Sequence, residues 1–159
     1  MSEQLRVTRD VAASPEQVFA VLIDPSRHTL FDGADMLRGL AEGGPITAVG
    51  DAFIMNMENR ILGDYQVRNE VNAYEPDRKL GWLPVLYPKG GYTDKIGDMD
   101  PGGHSYTWEL TPNGSGGTTV TQTYDWSGVW DPGFKSRFPM LNEDVLAESI
   151  DKVGMAAAE

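Results

Sequence analysis

The sequence predicts an α+β protein in which a few helices gather on one side of an antiparallel sheet. Three observations carry that prediction: a short strand followed at once by a capped helix, then a run of segments with a period of two, then an amphipathic terminal helix. At 159 residues the chain is read as a single domain over 1–159, long enough to bury roughly 70% of the surface its unfolded form exposes.

The first strand is Gln4 to Val11, where Leu5 and Val7 alternate with Arg6 and Thr8. In "ASPEQVFAVLIDP" the helix is well announced. Ser14 suits the N-cap, Pro15 the first helical position, and Gln17 the place from which a side chain reaches back to the cap amide. Val18, Phe19, Val21 and Leu22 give this helix an apolar face, and Asp24-Pro25 ends it, because the residue before proline avoids helical geometry. "SRHTLFDG" is expected to add one more turn.

From Gly50 the period becomes two. Phe53, Met55 and Met57 share one face of a strand, and Tyr65, Val67, Asn69 and Val71 share one face of the next. "YEPDRKL" supplies a turn, after which Leu80 and Trp82 open another strand. Pro84 to Gly103, rich in Gly, Pro and Asp, reads as a long loop, with an inserted hairpin as the alternative. Tyr106, Trp108 and Leu110 alternate with polar residues, "TPNGSGGT" turns the chain, and Val120, Gln122, Tyr124 and Trp126 return. Asn142 to Ala158 reads as a helix with Val145, Leu146, Ser149, Ile150 and Val153 on one stripe.

Charge narrows the function classes. Lys and Arg number 13 against 24 Asp and Glu, a formal net charge of -11, which repels phosphate backbones and anionic lipid surfaces, so no nucleic-acid partner is expected. The absence of cysteine excludes disulfides and thiolate chemistry. No run approaches the ~18 apolar residues of a membrane span, and "MSEQLRVTRD" has no apolar leader core, so a cytoplasmic protein is expected. No repeat or coiled coil specifies an oligomeric state.

Candidate functional residues are few. The strand faces carry many large side chains, Met55, Met57, Tyr65, Trp82, Tyr106, Trp108, Tyr124 and Trp126, which suit either a filled core or the adaptable walls of an apolar pocket. Asn69 and Gln122 occupy inward positions between apolar neighbours, and a buried amide without a partner costs roughly 1–3 kcal/mol, so each needs protein, water or ligand to bond. His28 and His104 are read as exposed loop residues, with acid-base service as the alternative. Neither these nor the acidic Asp94, Asp98 and Asp100 make a recognisable metal site, and no cofactor is expected. No serine nucleophile elbow or phosphate loop occurs.

The element order, together with "ASPEQVFAVLIDP", "VGDAF", "YEPDRKLGW" and "YTWELTPNGSGGTTVTQTYDW", resembles the START-like helix-grip superfamily, also called the SRPBCC group. That superfamily holds birch-pollen-type allergens, lipid-transfer domains, and polyketide cyclases and aromatases. The chain departs from it in the Pro84 to Gly103 segment and in a short final helix ending "GMAAAE". The resemblance implies a curved antiparallel sheet wrapped around a long C-terminal helix, with two short helices after the first strand closing one end of the groove. It further implies a cavity binding a small apolar or amphipathic molecule such as a lipid or polyketide. Its wall would be the eight large side chains above with Asn69 and Gln122, joined by Val67 on the strand and by Leu146 and Ile150 on the helix stripe. Two alternatives accompany this expectation. One is a cofactor-independent cyclase or dehydratase in which Tyr65, Asn69, Tyr106 and Gln122 shuttle protons; the other is a regulatory module docking through its acidic surface or the loop from Pro84.

Overall fold

The computed structural model describes residues 2–158. Seven antiparallel strands form one sheet in the order β1-β7-β6-β5-β4-β3-β2. The strands are β1 (Gln4–Val11), β2 (Leu37–Glu42), β3 (Ala52–Asn59), β4 (Gly63–Glu75), β5 (Lys79–Tyr87), β6 (Ser105–Pro112) and β7 (Thr118–Asp125). The helices are α1 (Pro15–Leu22), a 3-10 helix (Pro25–Phe31), α2 (Thr93–Ile96), α3 (Pro132–Lys135) and α4 (Glu143–Ala157). The curved sheet grips α4, as the helix-grip reading expects.

The caps act as the residues suggest. Ser14 Oγ accepts from the Gln17 amide at 3.2 Å while the Ser14 amide donates to Gln17 Oε1 at 2.9 Å, so both arms of the capping box are made. Asp24 then caps the 3-10 helix by accepting from the Ser26 amide, and Asn142 caps α4 by accepting from the Val145 amide. Gly154 lets α4 approach β1, because a Cβ there would stand 2.7 Å from Val11 Cγ1.

Four elements differ from expectation, two of them the short helices α2 and α3, which the sequence reading does not contain. β2 is absent from the sequence reading because its alternation is broken: bulges fall between Leu37 and Gly39 and between Leu40 and Glu42, with Gly39 at φ +130°. β5 also runs on through Pro84 to Tyr87, beyond the point where the loop was expected to begin. Its pairing with β6 stops at Trp82–Tyr106, so the proline, which has no N–H to donate, lies where the strand has only β4 beside it. Past β5, Tyr92 ties the segment back onto β4, and its end lies against the stretch after β7, where the Asp100 amide donates to Asp131 Oδ2 at 2.7 Å. The Tyr92 hydroxyl accepts from the Gln66 amide and donates to the Tyr87 carbonyl, each at 2.8 Å.

Most of the core lies between the concave sheet face, α1 and α4. Val18, Leu22, Leu80, Val120, Ile150 and Val153 are completely buried there. A second cluster gathers Tyr124, Trp126, Val129, Phe134 and Leu146 under α3. Among the described residues no helix is long and apolar enough to cross a membrane.

Candidate functional site: an apolar cavity beside the terminal helix

The groove between sheet and α4 is filled at one end and hollow at the other. The hollow is a cavity of about 310 Å³. β3, β4 and β5 supply Met55, Met57, Tyr65, Val67, Asn69 and Trp82 to its wall; β6 and β7 supply Tyr106, Trp108, Gln122 and Tyr124; α4 supplies Leu146. Of the residues expected in the wall, only Trp126 and Ile150 lie elsewhere. Trp126 follows the last residue of β7, where its amide donates to the Glu3 carbonyl at 2.9 Å and its ring stacks on Phe138. Ile150 sits one helical turn beyond Leu146, inside the filled core.

The inward amides are buried, Asn69 at 4% exposure and Gln122 at 5%. In register Asn69 lies between Phe53 and Pro84, so it has no polar side chain directly across from it on either strand. Gln122 pairs with Trp108, and there the polar groups are incomplete: Gln122 Oε1 and Trp108 Nε1 are both buried without a hydrogen-bond partner among the described residues. A buried donor and a buried acceptor on adjacent strands are each left unsatisfied, at a cost of roughly 1–3 kcal/mol apiece.

Both histidines correct the expectation of exposed loops. His28 is 2% exposed, and His104 stands within 6.4 Å, centroid to centroid, of four aromatic rings, those of Tyr106, Tyr124, Phe134 and Phe138. Both line the cavity. Burial lowers the pKa of each to about 4, partly opposed at His28 by its bond to the Leu22 carbonyl and by Asp24. His104 Nδ1 is a third buried atom without a partner. The signal for His28 was present in the chain: Pro25, His28 and Phe31 are all buried and recur every three residues, the period of a 3-10 helix.

The tyrosines are pushed the other way. Burial raises Tyr65, raises Tyr124 to about 12, and raises Tyr106 well above its ordinary value, with the neighbouring Tyr124 adding to the effect on Tyr106. The Tyr106 and Tyr124 rings stack at 5.0 Å and 5°. Near neutral pH the histidines are therefore unprotonated, the tyrosines keep their protons, and the interior carries no charge from either. Charge in the lining comes from Asp32 and Arg137. Asp32 is engaged by its own chain, accepting from the amides of Ala34 (3.0 Å), Met36 (2.6 Å) and Leu37 (2.7 Å), and Arg137 is exposed. Among the described residues no group of three His, Cys, Asp or Glu side chains could hold a metal ion.

Residues 2–154 match the family described as polyketide cyclase / dehydrase and lipid transport. The chain belongs to that family. The curated relatives it resembles include the uncharacterized protein Rv0088 of Mycobacterium tuberculosis, 29% identical over 124 residues, a match covering 76% of this chain and 47% of that protein. The chain thus spans about half the length of the curated relatives it matches. Solved structures share the fold. Protein Ms6760 from Mycobacterium smegmatis superposes with a TM-score of 0.70 at 12% identity, covering 99% of this chain and 92% of that one. DynU16, a protein in the dynemicin biosynthetic locus, does so with a TM-score of 0.62 at 20% identity, covering 98% of this chain and 47% of that one. Membership in the polyketide cyclase / dehydrase and lipid transport family gives the chain a fold built for hydrophobic ligands.

Proposed function

We propose that the protein binds a small apolar or amphipathic molecule in the cavity between the sheet and α4. The observation that carries this reading is a hollow of about 310 Å³ lined by aromatic and methionine side chains, beside a core of fully buried apolar residues. Apolar area removed from water contributes about 25 cal/mol per Å², so burial supplies most of the affinity. Trp108 and Gln122 lie in the wall with one unpartnered atom each, and a ligand that reached those atoms would relieve a cost already present in the empty protein. The expected wall is Met55, Met57, Tyr65, Val67, Asn69, Trp82, Tyr106, Trp108, Gln122, Tyr124 and Leu146.

Native mass spectrometry of the purified protein, followed by denaturation to weigh what is released, tests the reading. A discrete small mass is expected. A clean unliganded mass, together with no thermal shift across lipids, sterols, flavonoids and polyketides, would sink it.

A second reading, a cofactor-independent cyclase or dehydratase, draws on the stacked Tyr106 and Tyr124, whose raised pKa values keep both hydroxyls protonated near neutral pH. Product formed from a ketide substrate and lost in Tyr106→Phe would favour it over binding alone.

A further inference from the structure

His28 carries more information than its burial. Its Nε2 lies 2.7 Å from the Leu22 carbonyl oxygen, an atom that can only accept, so the neutral ring must keep its proton on Nε2. Nδ1 is then a bare lone pair. Leu22 is the one hydrogen-bond partner the ring has among the described residues. The ring cannot readily turn to present its other edge. It stacks on Trp82 at 5.2 Å and 24°, with Phe31 and Phe53 packed against it at 5.0 and 5.3 Å.

A residue that is 2% exposed, lines a cavity and offers an unused acceptor makes a demand on whatever enters. The occupant must donate a hydrogen bond there or leave the lone pair desolvated, at a cost near that of any buried unsatisfied group. A carboxylate brings only acceptors, and the cationic side chain in the lining, Arg137, is exposed to water rather than set beside the buried ring of His28. A plain hydrocarbon brings nothing. We propose that His28 selects an uncharged aromatic ligand bearing a hydroxyl group, a phenol or enol, whose O–H donates to Nδ1 while its ring lies among Phe31, Phe53 and Trp82. This inference rests on the cavity being a ligand site, and it adds the ligand's chemical class. Burial supports it, because an imidazole whose pKa is lowered to about 4 remains an acceptor throughout the neutral range.

Three bicyclic probes of one shape separate the possibilities: 2-naphthol, naphthalene and 2-naphthoate. Each is small against a cavity that would hold about ten waters at ~30 Å³ apiece. Calorimetric titration near neutral pH is expected to rank 2-naphthol about tenfold tighter than naphthalene, as one added hydrogen bond predicts, with 2-naphthoate weakest. In His28→Phe, which keeps a ring in place, the ratio between the first two falls to about one. The wild-type protein gives an independent reading should that variant fold poorly: the ¹⁵N resonance of His28 Nδ1 moves when 2-naphthol is added and stays when naphthalene is added. Equal binding of 2-naphthol and naphthalene with an unmoved Nδ1 resonance would overturn the role of His28 and leave the cavity a ligand site. Tightest binding of 2-naphthoate would overturn it too. Binding of none of the three would count against the ligand site itself and remove this inference with it.

Discussion

The two ends of the groove between sheet and α4 are built from the same sheet face yet finished differently. At the end closed by α1, Val18, Leu22, Val120 and Val153 are fully buried, and the buried Thr118 hydroxyl donates to the Ala13 carbonyl at 2.7 Å. At the other end the side chains stand around about 310 Å³ of space, and His104 Nδ1, Trp108 Nε1 and Gln122 Oε1 have no partners among the described residues. Apolar matter and polar satisfaction are complete at one end and incomplete at the other. Under the proposed function, the difference teaches that stability and recognition are divided along the groove: the α1 end holds the sheet to α4, and the far end leaves interactions for another molecule.

That division predicts unequal responses to the same kind of change. Ile150→Ala, at the filled end, is expected to cost about 3 kcal/mol in urea denaturation, because it opens a void where none exists. Met57→Ala, in the cavity wall, is expected to cost about 1 kcal/mol, since it enlarges a space already present. Equal losses would break the comparison.

Acid should act on the hollow end. His28 and His104 titrate at about 4 in the folded protein against an ordinary 6.5, so between those values the unfolded chain binds protons that the folded one refuses. The stability held above pH 6.5 is thus lost as pH falls toward 4 and the loss levels off below it. His28, the more deeply buried, contributes up to about 3 kcal/mol, and His104 less. Urea midpoints followed from neutral pH to about 4 measure this, and His104→Phe, which suits the surrounding rings, should flatten the curve.

Gln122→Met sharpens the contrast further. Removing an amide whose oxygen is buried and unpaired is expected to stabilise the empty protein by about 1 kcal/mol while weakening any ligand that bonds there. A loss of stability would mean that the amide serves the fold. The smallest effect belongs to the α1 end, where Ser14→Ala removes one arm of the capping box and should cost about 0.5 kcal/mol with ligand affinity unchanged.

Much of the fold was legible because its signals are local. The capping box of Ser14 and Gln17, the alternation from Tyr65 to Val71, the turn at Asn113 to Gly117 and the stripe of α4 each declare themselves within a few residues. β2 escaped because its bulges destroy the period on which recognition of a strand depends. In the site, Asn69 and Gln122 were legible because a polar residue interrupting an inward apolar face is visible in the sequence itself. Trp126 was placed with the wall because parity continues past Asp125, although the strand does not.

By itself the sequence determined most of the strands and helices and the composition of the inner face, since these follow from periodicity and caps, while the curved sheet with its gripped helix was implied by the resemblance to the helix-grip superfamily. Only the tertiary structure decided that one end of the groove is filled and the other hollow, that two histidines from separate segments meet the same space, and that the Leu22 carbonyl holds His28 in one protonation form. These depend on distances between residues far apart in the chain, such as Phe31 against Trp108 and His104 against Phe138, and no local pattern encodes such distances.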